Sequence, residues 1–128
     1  MHQYLTQEWL DAQREFAQSF PEREGATARM QYHVNGGPRG DVRYYWVLER
    51  GKLLESAVGE DPDADFTLSM SWDDSVKMQK GELDPNAAFM QGRMKVSGNM
   101  AKLMSLLPLT NSPEYRALQE EIRGITDF

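Results

Sequence analysis

Asp61, Asp63 and Asp65 recur at every second position in the run Asp-Pro-Asp-Ala-Asp, an oxygen-rich spacing of the kind that opens a calcium-binding loop. Such a loop also needs glycine at its sixth position, for a sharp turn, and a bidentate glutamate at its twelfth. Those positions hold Phe66 and Trp72, so the run reads as a solvated loop ahead of a strand. Two histidines are present, His2 and His33, and neither has a second histidine or a cysteine at ligand spacing. His33 could serve as a general base only with a nucleophile or substrate beside it in space, and the chain shows no positioned acid–base pair. Gly36-Gly37-Pro38-Arg39-Gly40 lacks the Gly-Lys-Ser/Thr ending of a phosphate loop and reads as a hairpin turn. There is no cysteine, which excludes disulfides, thiolate metal sites and cysteine nucleophiles. These residues predict a protein that is not an enzyme and uses neither metal nor cofactor.

The remaining composition narrows the partners. A chain of 128 residues fits one domain with a proper core. Its net charge of −6, with no basic run, argues against binding a phosphate backbone. Tyr44-Tyr45-Trp46 could stack on bases, but alternation places Tyr44 and Trp46 on one apolar face with Val42 and Leu48. No nucleic-acid partner is therefore expected. No apolar run approaches the roughly 20 residues of a membrane span. The N-terminal residues lack a signal-peptide pattern, the last residues are not a peroxisomal address, and absent cysteine fits a reducing compartment, so the expected location is cytoplasmic.

The methionines are the signal left over. Six of the eight, Met70, Met78, Met90, Met94, Met100 and Met104, fall in the central part of the chain. Methionine is unbranched and polarisable, so it fills irregular space and adapts to different shapes. Two readings stay open: an ordinary core that favours methionine, or a wall that repacks around variable apolar ligands.

The elements that must position these side chains can be read from periodicity. Leu5, Trp9, Ala12, Phe16 and Phe20 recur at helical spacing, with Thr6 as a cap and Pro21 and Gly25 as the stop. Three alternating strands follow, over 28–34, 41–50 and 52–58, joined by a turn at 35–40 and a tight turn at Gly51-Lys52, which implies an antiparallel meander. A fourth strand covers 66–70. Ser71 with Asp74 forms a capping box for a helix ending near Gly81, and Asp84-Pro85 starts a short helix ended by Gly92. A fifth strand covers 93–97. Asn99 caps a helix carrying Met100, Leu103, Met104, Leu106 and Leu107, which Pro108 stops. Ser112-Pro113 opens a last helix with Tyr115, Leu118, Ile122 and Ile125 in a three-four repeat.

That order of elements, together with Ala64-Asp65-Phe66-Thr67-Leu68-Ser69-Met70-Ser71 and the run from Gly81 to Asn99, resembles the type-2 sterol carrier protein domain. The family shows an aspartate-led strand, a Gly-Lys-x-Asp-Pro turn and a Phe-Met-x-Gly-x-x-Lys-x-x-Gly run. Here these correspond to Gly81-Glu82-Leu83-Asp84-Pro85 and to Phe89-Met90-Gln91-Gly92-Arg93-Met94-Lys95-Val96-Ser97-Gly98. The correspondence is tight from about residue 64 to 107 and order-consistent elsewhere.

The resemblance implies an α/β domain of α+β type: a five-stranded, mostly antiparallel sheet covered by helices on one face. It also implies an apolar tunnel between sheet and helices for fatty acid, fatty acyl-CoA, sterol or phospholipid. By position, Phe89, Met90 and Gln91 would sit at the tunnel, with Gln91 offering a polar group to a ligand head. Met94 and Val96 would line its sheet side, Met100, Leu103, Met104 and Leu107 its helical side, and Leu118 and Ile122 a C-terminal lid. The expected partner is a small apolar ligand, with at most transient membrane contact. The alternative is an interaction or homodimerisation module with a collapsed cavity, accessory to an enzyme acting on hydrophobic substrates.

Overall fold

Side-chain alternation builds the sheet, and the computed structural model shows which face it buries. The structure describes residues 2–128, and within them every side chain except those of Ser19, Asn86, Leu107 and Thr110. The elements run β1 (His2–Gln3), α1 (Gln7–Phe16), a 3-10 turn (Ala17–Ser19), β2 (Ala28–Gly37), β3 (Gly40–Glu49), β4 (Lys52–Val58) and β5 (Phe66–Ser71). Then come α2 (Trp72–Gln79), α3 (Pro85–Met90), β6 (Met94–Gly98), α4 (Met100–Ser105), α5 (Leu107–Thr110), α6 (Pro113–Ile125) and β7 (Thr126–Asp127).

The five-stranded sheet has the order β4-β3-β2-β5-β6. The pairs β2/β3, β3/β4 and β5/β6 are antiparallel, whereas β2/β5 is parallel. Directly opposed residues share a face, so Met30, Val34, Tyr44, Trp46, Leu48, Phe66, Leu68 and Met70 form one buried apolar surface. Met94 and Val96 on the edge strand extend it, opposite Met70 and Leu68. The α+β architecture with a five-stranded, mostly antiparallel sheet is therefore as the resemblance implies, and its five strands lie where the alternation of the residues puts them. The parallel β2/β5 pairing is the departure from a simple meander: β5 crosses back to lie beside β2 instead of beside β4.

Local chemistry fixes the ends of these elements. Arg50 and Gly51 both have positive φ, +50° and +81°, which is the two-residue primed turn whose twist matches antiparallel strands. The turn thus lies one residue earlier than Gly51-Lys52, and Glu49 pairs with Lys52 across it. Thr6, Ser71, Asp84, Asn99 and Ser112 each accept a hydrogen bond from the backbone N–H three residues on, capping α1, α2, α3, α4 and α6. Pro108 does not end the helical path. It sits in the first turn of α5, where its missing N–H has no intrahelical partner to lose.

Helix α1 anchors the helical layer. Its Trp9 is fully buried, meets Tyr4 and Tyr44 edge-on with centroids 4.9 Å and 6.5 Å away, and donates from Nε1 to Thr126 Oγ1 at 2.8 Å. That bond ties α1 to the end of α6, where β7 pairs in parallel with β1 in a separate two-stranded sheet. The predicted stripe of α1 holds from Trp9 to Phe16; Phe20 stays in the core but leaves the helix through the 3-10 turn.

Candidate functional site

Most of the residues assigned to the tunnel by position lie on three consecutive elements at the β6 edge of the sheet, α3, β6 and α4, with Leu107 on α5 and Leu118 and Ile122 on α6. Asp84 and Pro85 start α3, and Gln91 ends it as its C-terminal cap, donating its N–H to Ala87 O. The backbone N–H of Arg93 then donates to Ala88 O and leads the chain into β6. Gly98 closes that strand against β5 at φ +111°, where an added Cβ would lie 2.7 Å from Asp65 O and 2.8 Å from Phe66 Cα. Asn99 N–H donates to Asp65 O, and Lys102 Nζ to Thr27 O at 3.2 Å, so α4 is held to the start of β2 and β5.

On this scaffold the side chains divide by depth. Met94, Val96 and Leu103 are half-buried and pack against the core. Phe89 and Met100 are exposed, Met104 is 59 % exposed and Met90 85 %. Gln91 is also exposed. Large apolar side chains in water are uncommon, and several on neighbouring elements mark a surface suited to a ligand, membrane or partner. Leu118 and Ile122 stand apart from the band: at 2 % and 0 % exposure they are core residues of α6. The Leu107 side chain lies outside the described residues.

A second feature lies between the sheet and the helices and opens to the surface. A cavity of about 50 Å³ is lined by Gln13 of α1, Tyr32 of β2, Tyr44 and Trp46 of β3, Gln79 of α2, and Tyr115 and Gln119 of α6. Tyr32 and Tyr44 stack on its sheet side, 4.5 Å between centroids and 5° from parallel. Burial holds the Tyr32, Tyr44 and Tyr115 hydroxyls above the usual phenol range, so all three are neutral at physiological pH. No residue of this lining is charged. It was not anticipated from the sequence, where Tyr44 and Trp46 read as core. The signal was available in Gln13, a polar residue four positions after Trp9 on the buried stripe, and in Gln119 one turn after Tyr115.

The other residues weighed for chemistry have structural roles. Asp61 accepts from Arg29 Nε at 2.7 Å and from the Asp63 N–H at 3.0 Å, and Asp65 accepts from the Arg29 N–H at 2.8 Å. The alternating aspartates therefore pin the β4–β5 crossover to β2. His33 lies on the sheet face opposite the core, in register with Arg43 and Ser69, and His2 Nδ1 is 3.8 Å from Glu8. Among the described residues no helix is long and apolar enough to cross a membrane.

Residues 11–111 match the model of the SCP-2 sterol transfer family. Hydroxysteroid dehydrogenase-like protein 2 of Homo sapiens is 48 % identical over 73 residues, which is 56 % of this chain and 18 % of that protein. Sterol carrier protein 2 of Gallus gallus is 33 % identical over 82 residues, 64 % of this chain and 15 % of that protein. The chain thus spans less than a fifth of the length of either relative. A crystal structure of sterol carrier protein 2 superposes with a TM-score of 0.71 at 20 % identity, covering 94 % of this chain and 97 % of that one, a likeness of fold.

Proposed function

The chain belongs to the SCP-2 sterol transfer family, and on that premise we propose that it binds, and is able to transfer, hydrophobic ligands without catalysing a reaction on them. The ligand class is a fatty acid, fatty acyl-CoA, sterol or phospholipid, taken up in an apolar tunnel between the sheet and the helices. The observation that carries this reading is the band of long, flexible apolar side chains at the β6 edge. Phe89, Met90, Met100 and Met104 are exposed above the half-buried Met94, Val96 and Leu103, which continue into the core. Methionines hold few rigid contacts and change rotamer at little cost, so an acyl chain can part α3 and α4 from β6 and replace water on their apolar atoms. Each Å² of apolar surface so covered contributes roughly 25 cal/mol before association costs. Such binding favours breadth over selectivity, because dispersion and desolvation have little directionality. In this reading Gln91, which caps the end of α3, would offer a polar group to the ligand head.

The test is native mass spectrometry of freshly purified protein, organic extraction of what it carries, and titration with a fluorescent fatty acid. A discrete lipid adduct and saturable uptake are expected. A bare protein that takes up no probe sinks the reading.

The same exposure favours a second reading, a module that pairs this band with another copy or with an enzyme acting on hydrophobic substrates. Sedimentation of the ligand-free protein separates the two. Concentration-dependent dimers that Met90→Asp dissolves, without lipid uptake, select the interaction module.

A further inference from the structure

The chain contains no cysteine, so its methionine thioethers are the sulfur groups open to oxidation. Seven methionines lie within the described residues, at three depths. Met30 and Met70 are core residues, 5 % and 8 % exposed, and Met78 and Met94 are half-buried against that core. Met100, Met104 and Met90 are 45 %, 59 % and 85 % exposed. The exposed three are not scattered. Met90 ends α3, Met100 and Met104 stand one turn apart on α4, and β6 is the strand between those two helices in the chain. All three belong to the apolar band at the β6 edge, above the half-buried Met94, Val96 and Leu103.

An oxidant in water must reach the sulfur, so this gradient of depth sets an order of reaction. The indoles of Trp9 and Trp46, the other oxidisable groups of comparable size, are buried. With hydrogen peroxide the step is a two-electron oxygen transfer. The sulfur lone pair attacks one peroxide oxygen, the O–O bond breaks and the S–O bond forms. The proton on the transferred oxygen passes to the departing hydroxide, leaving a sulfoxide and one molecule of water. The thioether is thereby converted from an apolar group to a polar acceptor. Facing water, that acceptor is hydrated. Under an acyl chain it loses its water, and hydrocarbon supplies no donor in return. Side chains that stand mostly in water contribute little to stability, so the change falls on ligand binding rather than on folding.

We propose that Met90, Met100 and Met104 are oxidation sites through which a peroxide lowers the affinity of the protein for apolar ligands, and that reduction of the sulfoxides restores it. The loss of affinity rests on the lipid-binding reading; the order in which the sulfurs react does not. The band is thus both the contact surface for the ligand and the place where its grip is adjusted.

The experiment adds hydrogen peroxide to the folded protein and follows samples by trypsin digestion and mass spectrometry. Cleavage after Arg93, Lys95 and Lys102 puts Met90, Met100 and Met104 in separate peptides, so the gain of one oxygen is timed at each. Met90 and Met104 should react first and Met100 next, with Met30 and Met70 slower by at least roughly tenfold. Protein oxidised at the three exposed positions should take up a fluorescent fatty acid roughly tenfold more weakly. The two methionine sulfoxide reductases, one for each sulfoxide epimer, should together restore uptake. The triple variant Met90→Leu, Met100→Leu, Met104→Leu, whatever its own affinity, should show the same uptake before and after peroxide. Rescue by the reductases is read on the wild-type chain, so a poorly folded variant does not end the test. Oxidation of Met30 or Met70 as early as Met90, or unchanged uptake by the oxidised protein, overturns the proposal and leaves lipid binding intact. A loss of uptake that the reductases do not reverse, or that the triple variant shares, traces to damage elsewhere and overturns it as well. Untreated protein that takes up no probe overturns the lipid-binding reading together with the proposal.

Discussion

Arg29 Nε lies 2.7 Å from Asp61 Oδ2, and the Asp61 side chain it meets is almost wholly buried. The pair joins β2 to the loop that carries the chain across to β5. Gln31 completes the clasp: its Nε2 donates to Tyr44 O and Gly59 O, and its Oε1 accepts from the Asp61 N–H at 2.8 Å. These bonds stand where a hairpin would otherwise decide which strand β5 joins, and they hold β5 in parallel beside β2.

The pair makes stability depend on acid. The hydrogen bond from Arg29 is the main reason the Asp61 carboxyl titrates below the usual carboxylate range, against the opposing effect of burial. A depressed folded-state pKa gives stability that is present above the unfolded value, about 3.9, and is lost as pH falls through the folded one. The stability of wild type should fall as pH drops below about 5, and part of that dependence should be missing in Asp61→Asn. At pH 7 the variant should be less stable by about 1 kcal/mol, the exposed side of Arg29 limiting the effect. Parallel pH curves for the two proteins would remove the pair from the account.

Gly98→Ala should be strongly destabilising. The position combines φ +111° with a backbone oxygen and a Cα within 3 Å of where a Cβ would go. Backbone, unlike a flexible side chain, cannot move aside cheaply. A loss of about 2–4 kcal/mol is expected, read as a fall in thermal midpoint. Protection of the β6 amides from hydrogen exchange should fall most, because β6 is an edge strand held by β5 alone.

Ser112→Ala should lower stability by about 1–2 kcal/mol. The Ser112 hydroxyl accepts from the Tyr115 N–H at 3.2 Å and donates to Leu109 O at 2.6 Å, so one buried group both caps α6 and ties it to α5. Ser112→Asp retains the capping acceptor and loses the donor. If Ser112→Asp is as stable as wild type in urea denaturation, the cap accounts for the whole effect.

Met104→Asp should weaken uptake of a fluorescent fatty acid by roughly 3- to 10-fold while changing stability by no more than about 0.5 kcal/mol, since the side chain is largely in water. Gln91→Leu should change head-group preference across a series of lipids more than overall affinity. Unaltered uptake by Met104→Asp, with wild-type stability, would place the ligand elsewhere.

Periodicity was a reliable guide wherever one side of an element faces water. The alternation in β2, β3 and β5, and the stripe of α6, put Met30, Tyr44, Trp46, Phe66, Leu118 and Ile122 in the core as their spacing requires. The caps were equally legible, because Thr6, Ser71, Asp84, Asn99 and Ser112 satisfy N–H groups only three residues away. Local interactions of this kind are written in adjacent residues.

The sequence alone therefore determined the five strands of the main sheet, the capped helices, the apolar face of the sheet and, through the Phe89–Gly98 run, the family. Tertiary structure decided what depends on residues far apart in the chain. The parallel β2/β5 pairing rests on Arg29, Gln31 and Asp61 meeting across a crossover. The exposure of Met90 and Met104, against the burial of Leu118 and Ile122, depends on which helices lie over the sheet centre and which at its edge. The neutral cavity around Gln13 and Trp46 draws its lining from α1, β2, β3, α2 and α6, so no short window of sequence contains it. Its uncharged lining arises only when packing brings together residues that are distant in the chain.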